Sequence, residues 1–380
     1  MSGLPGALVL LGLLAVWPAA AAEPVRVSLG DGLRTVEIGA ADLVTISAAG
    51  TRRFGIPAGR LIRIVPSRVG LEMTWGKARA ERASLAMAGV RLETRRSALR
   101  VGSRDYSGVL EVWRSGDGLL LLVNEIPLED YVAGTVRAES SEKWPAEALR
   151  AIAVAARTYA VFQQQRNASK PYHLVASSKD QNYAGWIAEN SPAWEATRAT
   201  AGQVLSWQGS VFPAFYHSDS GGYTEPPQTI FSGDGIPPLP GIRDEFSLDS
   251  PNYAWATTLS LRIIGDRLRQ GGVDIGEVTG LTVLERSASL RIVRLAVEHS
   301  RGATTLKGTD FRRLIGYDVI KSTLFVPAPG PDGTIRFEGR GWGHGVGLSQ
   351  FGAKGMADRG YAYPQILAHY YPGTSLATLK

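Results

Sequence analysis

Between Val25 and Val123 apolar and polar residues alternate in short runs, VRVSL, LIRIV, VRLETR and VLEVWR, separated by Gly, Ser and Asp. A two-residue period places successive side chains on opposite faces of a strand, so this stretch predicts half-buried β-strands joined by turns. LLLLV at 119–123 breaks the alternation, and a continuous apolar run of that length predicts a strand covered on both faces. The period then becomes helical. Pro127 opens PLEDYVAGTVRAE, with Leu128, Tyr131, Val132 and Thr135 on one side. After a break at Ser140–Trp144, Pro145 stands as the first residue of a second helix, PAEALRAIAVAARTYAVFQQQ. Its stripe is Leu149, Ile152, Ala153, Ala156 and Tyr159.

Further along, QVLSW and VFPAFYHS around a Gln208-Gly209 turn predict a β-hairpin over 203–224. Pro226 to Pro251 reads as a Pro/Gly-rich loop, and 280–284, 290–298 and 303–306 as strands. DFRRLIGY from Asp310 predicts a short helix, and YPQILAHYYPG a last helix stopped by Pro372-Gly373. The expected fold class is α+β: a β-rich N-terminal part, a central helical pair, then mixed strands and short helices toward the C-terminus.

A length of 380 residues allows two or three subdomains. The absence of cysteine excludes disulfides, a lipid-modified Cys anchor and thiolate metal sites. The opening MSGLPGALVLLGLLAVWPAAAAEP has an apolar run, Ala7 to Trp17, too short to span a bilayer comfortably, followed by small residues at Ala20 and Ala22. This predicts a signal peptide over 1–22, with Glu23 as the mature start and no transmembrane span after cleavage. An uncleaved anchor is the alternative, because the first residues contain no Lys or Arg. Charge is uneven: Thr51 to Arg104 holds 13 Lys/Arg and 3 Asp/Glu, a balance of +10, against +6 for the whole chain, so the remainder carries −4. A basic β-rich module over 23–100 on an exported protein points to an acidic extracytoplasmic partner, wall polymer or anionic lipid, and away from nucleic acid. A solvated basic face without a partner is the alternative.

Two segments carry candidate chemistry. GRGWGHGVGLSQFGAKGMA, from Gly339 to Ala357, sets His344 among glycines beside Trp342, Ser349 and Gln350. Glycine permits turns and close backbone approach, so the segment reads as a polar pocket or as a tight turn with a surface His. VRAESSEKWPAEALRAIAVAARTYA, 136–160, places Glu139 between the two helices, with Trp144 as a candidate apolar wall. A carboxyl against apolar surface has a raised pKa, which suits a general acid; a capping or solvated glutamate is the other reading.

These segments, with VNEIPLEDYVAGTVRAE at 123–139, DQNYAG at 180–185, FYHSDSGGYTE at 215–225, LKGTDFRRLIG at 306–316 and KSTLF at 321–325, resemble the SpoIID/LytB-domain proteins, a group of exported bacterial cell-wall proteins. The resemblance runs from about residue 100 to 376 and implies a catalytic domain over 101–380. It implies lytic transglycosylation of peptidoglycan glycan strands in the periplasm or wall, without a cofactor. The acid lies in an Ala-Glu dipeptide, here Ala138-Glu139, although Ser140-Ser141 replaces the usual Met-Pro. Some members are amidase enhancers, so a wall-binding protein that stimulates an amidase is the alternative function. On this reading His344 binds the sugar or orients Glu139, its charge able to change near neutral pH, or else it bonds to loop carbonyls. Ser220 and Tyr223 shape a groove, and Tyr223, Tyr183 and Gln181 either meet sugar or pack in the core. Trp342 and Gln350 complete the binding set. No partner acid is required, Asp180 being the first to test for that role, and Arg157 is a structural partner for a carboxylate. Some relatives hold zinc through Cys and His; the lack of cysteine here argues against a metal site.

Overall fold

The computed structural model describes residues 23–48, 52–76, 81–85, 88–231 and 233–379; the expected signal segment, 1–22, lies outside them. Alternation dictates the N-terminal part. Strands Val36–Ala40, Ile62–Pro66, Leu71–Trp75, Glu81–Leu85, Leu99–Val101 and Arg104–Tyr106 form a six-stranded antiparallel sheet. Its buried alternate residues, such as Ile38, Ile62, Ile64 and Met73, join one core with Ile46, Leu92, Leu110 and Val112 of a seven-stranded sheet. That larger sheet runs, by strand, 174–175, 25–33, 120–126, 109–114, 89–94, 44–48 and 52–56. Leu120 to Val123 are all buried, as the continuous apolar run requires.

Eight helices occur among the described residues: α1 (Leu128–Glu139), α2 (Ala146–Arg166), α3 (Pro192–Ala199), α4 (Pro227–Ile230), α5 (Leu261–Gln270), α6 (Gly308–Ile315), α7 (Gln350–Asp358) and α8 (Tyr363–Tyr370). Pro127 and Pro145 each cap a helix from just outside it, one residue earlier than a first helical position. α2 is buried around most of its circumference rather than along one stripe, and its alanines let α1, α3, α7 and α8 approach closely. Arg157 on α2 is fully buried and donates from Nε and Nη2 to the Glu129 carboxylate of α1 at 2.9 and 2.6 Å. Among the described residues no helix is long and apolar enough to cross a membrane.

The hairpin expected over 203–224 does not form. The Gln208-Gly209 turn is present, with φ 49° and 79°, and Trp207 and Ser210 exchange backbone bonds. The arms then part. Gln203–Ser206 pairs antiparallel with Ser375–Thr378, while Tyr216–His217 pairs in parallel with Leu348–Ser349. Pro213 cannot donate to a ladder, and the Phe215 carbonyl is taken by Leu348 N–H at 3.1 Å. A second core gathers Trp255, Phe311, Phe325 and Phe337, with α5, α6 and two three-stranded sheets. Its strands Val278–Arg286, Ile292–His299 and Gly302–Lys307, with α6, lie where the periodicity puts them. The chain leaves this core through Thr334–Arg340 and returns to the first by the glycine-rich segment leading into α7.

Candidate active site

Glu139 is the last residue of α1, where the negative pole of the helix dipole disfavours a carboxylate. The helix ends there because Ser140 turns extended, and its N–H and hydroxyl both bond back to the Val136 carbonyl at 3.1 and 2.6 Å. Ser140 thus acts as a C-terminal cap. Both carboxyl oxygens of Glu139 are held: Asn182 N–H donates to Oε1 at 2.7 Å and Gln350 Nε2 to Oε2 at 3.0 Å. Glu139 is half-buried, and burial raises its pKa above the ordinary glutamate value while the bonds from Asn182 and Gln350 pull the other way. Trp144 packs edge-on against Phe351, the neighbour of Gln350, with ring centroids 5.0 Å apart.

The 180–186 segment explains how Asn182 is aimed. Asp180 accepts from Tyr159 Oη at 2.8 Å, Gln163 Nε2 at 3.2 Å and Val175 N–H at 2.9 Å. It is therefore an anchor, not a second acid. Gln181 accepts from Tyr131 Oη and donates to Tyr216 Oη, each at 2.9 Å. Tyr183 donates to Asn124 Oδ1 at 3.1 Å, its ring packed on Tyr106 and Tyr131. Both are 1% exposed, so they brace the segment from inside and do not meet a ligand on its surface. Between these buried anchors Asn182 is exposed and offers its backbone N–H to Glu139. Asn182 carries no mark in the sequence, because it reaches Glu139 through its backbone N–H.

The glycine-rich segment is shaped by what lies under it. Gly341, Gly343, Gly345 and Gly347 have φ between 72° and 117°. A Cβ at Gly347 would stand 1.9 Å from the Phe215 carbonyl oxygen, and one at Gly345 2.5 Å from Arg291 Cζ. Only glycine combines that φ with that proximity. The segment can therefore lie flat on 215–222, where Asp219 and Trp342 exchange backbone bonds at 2.9 Å. Ser349 then caps α7, accepting Gly352 N–H at 3.1 Å, and Gln350 in the first turn reaches Glu139.

His344 serves this packing. Its Nδ1 accepts Val346 N–H at 3.0 Å, and its ring lies edge-on to Phe215 and Phe231 and 5.5 Å from His217. Burial pulls its pKa down to about 3; Arg312 and Arg291 push the same way, against a bond to the Tyr216 carbonyl. That downward shift runs against the expectation that its charge changes near neutral pH. The hydrogen bond from this segment to Glu139 comes from Gln350. Ser220 is also corrected, since it is fully buried and donates to Asp244 Oδ2 at 2.7 Å. Tyr223 is 45% exposed, and Trp342 is half-buried under the Lys321 ammonium at 4.8 Å. Behind the segment lies Arg291, fully buried, which donates to the Ser220 carbonyl at 2.6 Å; burial pulls its pKa to about 10, with Glu225 and Asp219 opposing. No sequence signal marked it. Among the described residues no group of three or more His, Asp or Glu side chains is placed to hold a metal ion.

One half-buried carboxyl, fixed at both oxygens by donors, can release a proton and hold the resulting charge. The chain matches the SpoIID stage II sporulation protein model over residues 117–207, which include Glu139 and Asn182. It matches a domain of unknown function over 243–347, which takes in the second core and His344. Stage II sporulation protein D of Bacillus amyloliquefaciens is 32% identical over 273 residues, 67% of this chain and 75% of that protein. An uncharacterized protein of Brachyspira hyodysenteriae is 28% identical over 316 residues, 83% of this chain and 82% of the other. The amidase enhancer of Bacillus subtilis is 30% identical over 291 residues, 64% of this chain but 40% of that longer protein. The chain belongs to the SpoIID family of stage II sporulation proteins.

Proposed function

We propose that this chain is an exported lytic transglycosylase that cleaves the MurNAc–GlcNAc bond of peptidoglycan glycan strands, with Glu139 as both acid and base. The observation that carries this reading is the Glu139 carboxyl, its pKa raised by burial and its two oxygens gripped by Asn182 and Gln350. Protonated Glu139 gives its proton to the leaving glycosidic oxygen as the bond to C1 breaks. The carboxylate, held by the two donors, then takes the proton of the C6 hydroxyl as that oxygen bonds to C1, giving a 1,6-anhydroMurNAc end. The sugar's own hydroxyl replaces water, so no second carboxylate is required. Tyr223 and Trp342 supply ring surfaces for the glycan, and Gln350 positions the acid. Ser220, Gln181 and Tyr183 contribute from inside the fold, and half-buried His344 from beside them.

Mass analysis of products from peptide-free strands tests the reading. Anhydro-ended products with wild type and none with Glu139→Gln are expected. No product from wild type, or the same product from the variant, overturns it. A second reading, stimulation of an amidase without cleavage, is favoured by the similarity to a protein named amidase enhancer. Amidase activity that rises on adding Glu139→Ala protein, in a preparation that yields no anhydro ends, would select it.

A further inference from the structure

The basic N-terminal module contains a cavity that the active-site account does not use. Its volume is about 680 Å³, and its wall includes Arg60, Arg96, Arg100, Asp105, Leu61 and Trp186. Arg100 forms a two-pronged bridge to Asp105 at 2.7 and 2.9 Å. Among the described residues, Arg60 and Arg96 take part in no ion pair, which leaves the wall with a surplus of two positive charges. Trp186 is 50% exposed, an unusual setting for a large ring.

The cavity is tied to the active site by a short rigid strap. Asn182 N–H binds Glu139, Ala184 N–H binds the Gly134 carbonyl of α1, and Trp186 N–H binds the Asp105 carbonyl at 2.7 Å. Arg104 holds the Tyr183 carbonyl at 3.1 Å. Gly185, with φ 82°, packs so tightly that a Cβ would stand 2.3 Å from the Asp105 carbonyl oxygen. Trp186 stands four positions after Asn182, which bounds their Cα distance at about 14 Å. A few linked pyranose rings are long enough to cover that distance.

We propose that this cavity is a remote subsite for a carboxylate-bearing hexosamine of the glycan strand, with Arg60 and Arg96 receiving the carboxylate and Trp186 stacking on the sugar ring. A guanidinium fork matches a carboxylate, and an exposed indole matches the apolar face of a pyranose. A neutral sugar would leave the arginines unexplained, and a bare anion would leave the tryptophan unexplained. The volume suits one or two rings, within the usual range of about 300–1,000 Å³ for small-ligand sites. The inference rests on the glycan reading for its ligand, not on cleavage.

The test is binding calorimetry on the full mature chain carrying Glu139→Gln, so that the ligand stays whole. Peptide-free strands with one lactyl carboxylate per disaccharide are compared with neutral chitin oligosaccharides of equal length and with anionic lipid vesicles. The acidic strand should bind at least tenfold more tightly than the neutral one. Added Arg60→Gln with Arg96→Gln should remove that preference and flatten its salt dependence, and Trp186→Ala should weaken both ligands. Arg96→Gln alone, at an exposed side chain, keeps the test readable if the double variant is unstable. Equal binding of acidic and neutral strands, unchanged affinity in the arginine variants, or displacement of the strand by vesicles overturns the proposal. If wild type yields no anhydro ends while the arginine-dependent preference persists, the cleavage reading fails and the subsite stands.

Discussion

Gln350 donates a 3.0 Å hydrogen bond from Nε2 to Oε2 of Glu139 across 211 residues of sequence, joining the start of α7 to the end of α1. This bond favours the carboxylate and so pulls down a pKa that burial raises. Gln350→Leu removes it. The Glu139 pKa should then move further up, and the basic limb of the pH–rate profile, where the proposed acid loses its proton, should shift to higher pH. The rate should fall about tenfold, the scale of one lost hydrogen bond to a charged group. Glycan cleavage measured from pH 4 to 9 checks this, and a profile that does not move would separate Gln350 from the acid.

Desolvating Glu139 has a stability cost. Its pKa is raised in the folded state, so its favourable contribution is present below the unfolded value, about 4.3, and is lost as pH rises through the folded value. Glu139→Gln carries no charge to desolvate, and the Gln350 amide can turn its oxygen toward the new amide. The variant should be more stable than wild type at pH 7 by roughly 1 kcal/mol, the usual scale for relieving an active-site compromise. The difference should shrink toward pH 4. Thermal midpoints of both proteins at the two pH values measure it.

Much of this arrangement was legible from residue order. The switch from a two-residue to a helical period at Pro127 located α1, and Glu139 fell at its end. α7 escaped because Gly352 and Gly355 are poor helix formers; they are there because a Cβ would stand 1.9 Å from the Tyr370 hydroxyl or the Phe246 carbonyl. The 203–224 hairpin failed because local alternation does not reveal a distant partner, here Ser375–Thr378. His344 was conspicuous for its glycine neighbours, but those glycines fit the backbone to 215–222, and the residue that bonds to Glu139 comes six positions later.

The glycines separate two costs that a sequence does not distinguish. Gly360 has φ 85° with nothing within 4 Å of an added Cβ, so Gly360→Ala should cost about 1 kcal/mol for the left-handed backbone alone. Gly347 has φ 72° and a backbone oxygen 1.9 Å from the same atom. Gly347→Ala must push Tyr216–His217 away from Leu348–Ser349 and should cost more than about 3 kcal/mol. Denaturant midpoints of the two variants, read against wild type, give the contrast, and equal losses would mean that the segment does not lie on 215–222.

The histidines make the last prediction. Burial pulls the pKa of His344 to about 3 and that of the buried His217 well below its ordinary value. Both rings should therefore stay neutral in the fold across the physiological range, whereas an unfolded imidazole protonates near about 6.5. Their contribution to stability is complete above that value and is lost as pH falls toward the folded values. The ring resonances of His344, followed by NMR, should stay fixed between pH 8 and 5. Over the same acid range the thermal midpoint should begin to fall, and it should fall less in His344→Gln, which has no proton to take up. A His344 that titrates near pH 6.5 would mean a solvated ring, and the packed contact with Phe215, Phe231 and His217 would have to be abandoned.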